Sequence, residues 1–104
     1  MIDLRSDTVT LPSERMFDAM RKMPIGDDDR RSCETTTKLE RTVADLYGKE
    51  AAMIVPSGIM ANNINLMVMA RMSGEAVILG SDSHIITNER AAVSAIAGIM
   101  PWVI

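Results

Sequence analysis

The stretch AAMIVPSGIMANNINLMVMARM, residues 51–72, decides the fold that we predict for this chain. Its first five residues, 51–55, form a short apolar run that predicts a buried strand. Pro56 ends this strand because proline has no N–H group to donate to a sheet. Ser57 is a favourable N-cap for the long apolar helix that follows, and Gly58 lets the backbone approach another group closely.

The turn made by Pro56, Ser57 and Gly58 predicts a phosphate site. The first N–H groups of a helix have no acceptor within the helix. In a strand–turn–helix unit they lie at the carboxyl edge of the sheet, where they can bind a phosphate group. The same turn is also typical of a plain strand-to-helix connection without a ligand, and these residues alone leave both interpretations open.

Composition limits the classes of function. The chain has 104 residues, 47% of them hydrophobic, which suits one small globular domain. A net charge of −3 argues against a nucleic-acid partner. The lone cysteine, Cys33, and the lone histidine, His84, exclude an intrachain disulfide and a metal site built from several thiolates or imidazoles. No segment predicts a signal peptide or a membrane span, so we expect a cytoplasmic protein without membrane contacts.

The first half of the chain predicts an arm and two helices. Residues 3–10 are polar without a helical period and predict an extended arm. Pro12 suits the first turn of a helix that ends before Pro24. In a second helix, which ends at Gly48, Thr37 and Glu40 fit a capping box, although a start a few residues earlier is also compatible with the sequence. Apolar side chains at helical spacing predict one buried stripe on each helix: Met16, Phe17, Met20 and Met23 on the first, and Leu39, Val43, Leu46 and Tyr47 on the second.

The loop between these helices, residues 26–32, carries three adjacent carboxylates and two arginines. Its carboxylates are compatible with a metal site, but the arginines that follow favour a self-neutralised surface loop. The ten methionines of the chain favour a soft core over a promiscuous binding surface.

The second half predicts two further strands, at residues 76–79 and 99–104, the latter weakened by Pro101. Between them, a helix follows His84 and ends at Gly98. Strands that alternate with helices predict an α/β fold with a mainly parallel sheet and a ligand crevice at the carboxyl ends of its strands. Ser57 and His84 both follow such ends, which favours a ligand site there, although His84 is also compatible with a capping or core position. No dinucleotide-binding or Walker motif is present.

Four segments carry a resemblance to a known enzyme family. They are LRSDTVT at residues 4–10, Gly-Asp-Asp at 26–28, VPSGIMAN at 55–62, and the pair His84 and Glu89. In order and spacing the chain resembles the N-terminal part of the threonine aldolases, within the aromatic amino-acid β-eliminating lyase / threonine aldolase family. The resemblance implies a truncated large domain of the fold type I (aspartate-aminotransferase-like) architecture, with an N-terminal arm over residues 1–11 and an α/β part over residues 12–104.

The resemblance also implies the chemistry. The cofactor would be pyridoxal 5′-phosphate, an electron sink, with its phosphate held by Ser57, Gly58 and the N–H group of Ile59. His84 would stack on the pyridine ring and handle the proton of the substrate's β-hydroxyl, and Ser6 would help to hold the substrate carboxylate. The implied reaction is cleavage of threonine or allo-threonine to glycine and acetaldehyde, in threonine catabolism and glycine biosynthesis, by a homo-oligomer.

The chain departs from the family pattern at several places. Residues 30–34, RRSCE, stand where the family has a Tyr-Gly-Glu-Asp-Pro loop, and Ile59 replaces a threonine. Ile86 and Asn88 replace aromatic residues, and Ala91 and Ala92 replace two glycines. None of the lysines at positions 22, 38 and 49 matches the lysine that binds the cofactor covalently in the family.

Two hypotheses follow. The first is a fragment of a threonine aldolase that lacks the cofactor lysine. The second is a non-catalytic, truncated paralogue that acts as an interaction or oligomerisation module; a phosphate-binding module of another class is a third, weaker idea. An in-frame continuation past Ile104 into a lysine-bearing segment would separate the first two.

We predict that the isolated 104-residue chain has no aldolase activity, because covalent capture of the cofactor needs a positioned amine. When the chain is incubated with pyridoxal phosphate and allo-threonine, acetaldehyde should form no faster than with the free cofactor. Faster release would contradict this prediction.

Overall fold

The structure is a computed structural model, and it describes residues 2–27, 29, 32–70, 72 and 74–104. The chain divides into two units, Met1–Ile54 and Val55–Ile104. The predicted charged loop and the Gly-Asp-Asp motif include Asp28, Arg30 and Arg31, which lie outside the described residues.

In the first unit, the arm that we predicted as extended contains one turn of 3₁₀ helix at Asp7–Val9. The hydroxyl oxygen of Ser6 caps this turn by accepting a hydrogen bond from the N–H group of Thr8 at 3.3 Å. The described residues before Glu14 are exposed and otherwise lack regular structure, so the arm is not part of a core.

Helix α1, Glu14–Lys22, begins after Ser13, whose hydroxyl oxygen accepts a hydrogen bond from the N–H group of Met16 at 3.4 Å. Pro12 therefore precedes the N-cap and does not occupy the first turn. The predicted end of α1 before Pro24 is confirmed, because the residue before a proline is pushed out of the helical conformation.

Helix α2, Glu34–Tyr47, begins after Cys33, a few residues before the predicted capping box. It ends at Gly48, as predicted. Gly48 has φ 59° and ψ 38°, the left-handed conformation that favours glycine at a helix end. The predicted capping box is wrong, since Thr37 lies inside the helix and its hydroxyl donates to the Cys33 carbonyl at 3.2 Å.

The apolar stripes of both helices are exposed, contrary to our prediction. The exposed members are Met16, Phe17, Met20 and Met23 on α1, and Leu39, Val43, Leu46 and Tyr47 on α2. Among the described residues of these helices only Ala44 is buried. The helical spacing was predicted correctly, but a period of 3.6 residues identifies an apolar face without supplying the surface that covers it.

The predicted strand at residues 51–55 is wrong. The segment forms no strand, and both Met53 and Ile54 are exposed. The N–H group of Ile54 donates to the Glu40 carboxylate at 2.9 Å instead of to a neighbouring strand. An apolar run becomes a strand only where another strand offers its backbone groups, and the described part of the chain places none beside it.

In the second unit, strands β1, Ala76–Leu79, and β2, Met100–Val103, pair in parallel and form a two-stranded sheet. Ala76 lies opposite Met100, and Leu79 lies opposite Val103. The parallel arrangement is as predicted, although β2 is shorter than residues 99–104. Pro101 is tolerated in this two-stranded sheet because a strand at a sheet edge need not donate from every residue.

The helix that we predicted between His84 and Gly98 is interrupted. It is replaced by two short helices, α4, His84–Thr87, and α5, Ala92–Ala95. Arg90, between them, has φ 55°, a left-handed conformation that no helix interior contains. Val93 and Ile99 form the small apolar core of this unit and are 1% and 3% exposed.

The remaining helix, α3, Gly58–Met69, leads away from the predicted phosphate site. Met67, Val68 and Met69 are exposed near its carboxyl end. No helix in the described residues has the length and apolar content needed to cross a bilayer.

We predict that the 104-residue chain self-associates at micromolar concentration. The apolar stripes of α1 and α2 and the apolar end of α3 are exposed, and monomers rarely leave contiguous apolar surface of more than a few hundred Å² uncovered. Light scattering and sedimentation should show dimers or larger species, whereas a monodisperse monomer with a cooperative melt would contradict the prediction.

Candidate active site

The amino end of α3 has the geometry of an anion site. Ser57 has an extended backbone, with φ −151° and ψ 156°, and its hydroxyl oxygen accepts a hydrogen bond from the N–H group of Met60 at 3.2 Å. The predicted N-cap is therefore confirmed. The N–H groups of Gly58 and Ile59 have no acceptor among the described residues. The hydroxyl proton of Ser57 is also available, so three donors meet at this point.

The surroundings of this helix end suit a phosphate group. A Cβ atom built on Gly58 would meet nothing within 4 Å, so the backbone is open to an approaching ligand. The first turn of α3 carries no acidic side chain that would repel an anion. Free N–H groups and the positive end of the helix dipole favour a dianion at such a place. The residues present therefore fit a phosphate-bearing cofactor.

His84 follows the carboxyl end of β1 after a turn at residues 80–83 and is the first residue of α4. Its carbonyl oxygen accepts a hydrogen bond from the N–H group of Asn88 at 2.9 Å. Its side chain is 68% exposed, which excludes the core position that the sequence had left open. The imidazole is thus free to meet a ligand.

A buried carboxylate lies beside this imidazole. The side chain of Glu89 is 2% exposed, and its Oε1 atom is 4.0 Å from Nε2 of His84. The same oxygen accepts a hydrogen bond of 2.6 Å from the side-chain amide of Asn62, on α3. The cluster therefore joins α3 to the segment that carries His84.

Sequence reasoning quoted Glu89 and Asn62 only as parts of family motifs and gave neither a role. The one available signal was a carboxylate between the apolar residues Ile85, Ile86 and Val93 of a predicted helix. The contact itself joins residues 27 positions apart, which no local spacing rule reaches.

The family model of the beta-eliminating lyases matches residues 3–104. The chain belongs to this family. Its membership implies the α/β architecture of fold type I enzymes, with which the helices and parallel strands agree, and pyridoxal phosphate as the cofactor.

Three individual proteins to which the chain is similar have names that state an activity. The chain is 48% identical over 100 residues to the "Probable low-specificity L-threonine aldolase 2" of Arabidopsis thaliana, a match covering 96% of this chain and 28% of that protein. It is 41% identical to the "Low specificity L-threonine aldolase" of Escherichia coli (strain K12), over 97% of this chain and 30% of that protein. It is 39% identical to the "Alanine racemase TOXG" of Cochliobolus carbonum, over 94% of this chain and 25% of that protein. The chain thus spans less than a third of the length of each.

The predicted site residues are divided between the first and the second unit of the chain. Ser57, Gly58, Ile59 and His84 belong to the second unit. Ser6 belongs to the first, where it is exposed and its hydroxyl donates to the Asp7 carboxylate at 3.2 Å. Its role at the substrate carboxylate stays a prediction.

Two local contacts change ionisation in the first unit. The Arg5 guanidinium hydrogen-bonds to the Asp3 carboxylate, which lowers the pKa of Asp3 and raises that of Arg5. The hydroxyl of Thr36 lowers the pKa of the Cys33 thiol. Both lie outside the cluster around His84.

We predict that Ser57→Asp separates capping from anion binding. Aspartate caps a helix about as well as serine, so the unfolding midpoint should stay close to that of the wild type. Its charge should repel the ligand phosphate by about 1 to 4 kcal/mol at contact distance. Affinity for pyridoxamine phosphate, which has no aldehyde to react with lysines, should therefore fall at least about tenfold in a fluorescence titration.

Two controls complete this test. Ser57→Ala should lower stability by about 1 kcal/mol through loss of the cap. Ser13→Asp makes the same change at the N-cap of α1 and should leave ligand affinity unchanged. Equal affinity in wild type and Ser57→Asp would show that the end of α3 does not bind the phosphate.

We predict opposite effects on stability at two adjacent asparagines of α3. Asn62→Leu should lower the free energy of unfolding by about 1 to 3 kcal/mol, because it leaves the buried Glu89 carboxylate without its amide donor. Asn63 is 4% exposed; its side-chain amide donates to the Ile59 carbonyl at 2.8 Å, an oxygen that lies within the helix, whereas its Oδ1 atom is buried without a partner among the described residues. Asn63→Leu should therefore be neutral or stabilising. Urea unfolding followed by circular dichroism measures both, and equal losses would contradict the assignment.

Proposed function

We propose that this chain is the N-terminal segment of a pyridoxal-phosphate-dependent aldehyde-lyase that cleaves threonine or allo-threonine to glycine and acetaldehyde. The observation that carries the proposal is the open amino end of α3, which combines the Ser57 hydroxyl with the free N–H groups of Gly58 and Ile59. Identity of 41% and 48% to proteins named as threonine aldolases supports the choice of reaction.

The cofactor, when bound, supplies the electron sink for the bond that is broken at the substrate α-carbon. In our proposal Ser57, Gly58 and Ile59 hold its phosphate through one hydroxyl and two N–H groups. Ile59 offers only its N–H group where the family has a threonine, so the grip on the phosphate has one hydroxyl fewer. The helix dipole of α3 adds to the attraction because no acidic side chain opposes it.

His84 is the proposed acid–base residue. A neutral imidazole can accept the proton of the substrate's β-hydroxyl as the carbon–carbon bond breaks. Its position after a strand end and its exposure allow a ligand to reach it. Ser6 is the proposed contact of the substrate carboxylate, and a homo-oligomer in threonine catabolism and glycine biosynthesis is the proposed setting.

The assay of the full-length protein that contains this segment tests the proposal. With pyridoxal phosphate, it should release acetaldehyde from threonine or allo-threonine faster than the free cofactor. The relative named as an alanine racemase makes racemisation of L-alanine the informative second assay. Racemisation without acetaldehyde would replace the aldolase proposal with a racemase, and the absence of both activities would favour a non-catalytic interaction module.

We predict that His84→Ala in the full-length protein lowers kcat/KM for threonine cleavage by about 10²–10⁴-fold, the usual contribution of a general acid–base group. The unfolding midpoint should change little, because the side chain is largely exposed. An unchanged kcat/KM would assign His84 a structural role.

A further inference from the structure

Glu89 is a buried charge that the proposed mechanism does not use. A carboxylate loses much of its hydration when it is buried, and proteins retain one only where it is paired or hydrogen-bonded. Its contacts in the described part of the chain are the amide of Asn62 at 2.6 Å and the imidazole of His84 at 4.0 Å. The neighbouring Arg90 is exposed and forms no ion pair with it among the described contacts.

If Glu89 served only to hold the fold together, that role would explain its contact with Asn62 but not its contact with His84. A neutral glutamine at position 89 could accept the hydrogen bond from Asn62 through its carbonyl oxygen and connect α3 to the α4–α5 segment equally well. A carboxylate adds what a glutamine lacks, a stronger attraction for an N–H group of the His84 imidazole that lies beside it. In the same loop Arg90 has a left-handed backbone, φ 55°, which destabilises a residue other than glycine.

The imidazole needs such a contact because packing does not fix it. At 68% exposure the ring has few neighbours, and an exposed side chain interconverts between rotamers within nanoseconds. The gap of 4.0 Å between Nε2 and the carboxylate oxygen closes to a hydrogen bond by a small ring rotation, or is bridged by one water molecule. Either arrangement selects one ring orientation.

We propose that Glu89 is a positioning residue for His84. Its carboxylate attracts Nε2 of the imidazole and leaves Nδ1 as the free ring nitrogen for the substrate hydroxyl, a last step that rests on the proposed function. Asn62 holds the carboxylate in place from α3, five positions after the N-cap Ser57. The helix that presents N–H groups to the phosphate therefore also sets the orientation of the acid–base residue.

Glu89→Gln tests the proposal because it removes the charge and keeps an acceptor for Asn62. Because the 104-residue chain has one histidine, its imidazole resonances need no assignment. In a sample labelled at histidine and diluted until sedimentation shows a monomer, the rotamer populations can be measured from three-bond couplings. We expect one dominant rotamer of His84 in the wild type and averaged couplings in Glu89→Gln, with unfolding midpoints that stay close together. Asp82→Asn, which removes an exposed carboxylate two positions before His84, should leave the couplings as in the wild type.

The kinetic arm uses the full-length protein. Glu89→Gln should lower kcat by about tenfold or more with little change in KM, a smaller loss than the 10²–10⁴-fold expected for a missing acid–base group. Glu89→Asp, which restores the charge on a shorter side chain, should recover part of the rate. Unchanged His84 couplings in Glu89→Gln, with threonine still cleaved at the wild-type rate, would overturn the positioning role and leave the aldolase proposal intact. If the wild type cleaves no threonine, the aldolase proposal fails, and the couplings still decide whether Glu89 orients His84.

Discussion

The hydrogen bond of 2.6 Å between Asn62 and Glu89 is the side-chain contact that connects the two parts of the candidate site. It joins α3 to the segment between α4 and α5, and it satisfies a carboxylate that is almost wholly buried. A hydrogen bond to a charged group is stronger than one between neutral groups, and its loss leaves the charge without compensation. Because the helix with the open amino end and the segment with His84 meet at this bond, the free N–H groups of Gly58 and Ile59 and the imidazole lie on connected elements.

The amino end of α3 shows how local sequence alone can leave a helix end open with free N–H groups. Ser57 satisfies the N–H group of Met60, so the N–H groups left over are those of Gly58 and Ile59 at the very start of the helix. Glycine at the first position keeps the approach open, and no acidic residue follows in the first turn. These three features need no distant contact, which explains why they were predictable from the sequence.

Features that depend on local sequence were predicted correctly, whereas features that depend on distant contacts were not. The bounds of strand β1 and the end of α2 at Gly48 were predicted correctly. An apolar run bounded by turns and a glycine suited to a left-handed conformation are both local signals. The strand at residues 51–55 and the burial of the α1 and α2 stripes were predicted wrongly, because both require a partner surface that spacing does not reveal. Of the candidate site, His84 was found from its place after β1 and Ser57 from its N-cap signal, although the strand predicted before Ser57 does not form. The pairing of Asn62 with Glu89 was not found.

The side chains of the candidate site are not held in place by a large apolar core. The buried apolar side chains of the described residues are Ala44, Val93 and Ile99, a small set for a chain in which 47% of residues are hydrophobic. Ser57 is fixed by its cap, and Glu89 is fixed by Asn62, both through hydrogen bonds that survive exposure of the surrounding apolar faces. A ligand that binds only the ordered form adds stability in proportion to the logarithm of its concentration over Kd. A phosphate at the end of α3 would therefore stabilise the same helix that holds Glu89, and binding and ordering of the site would favour each other.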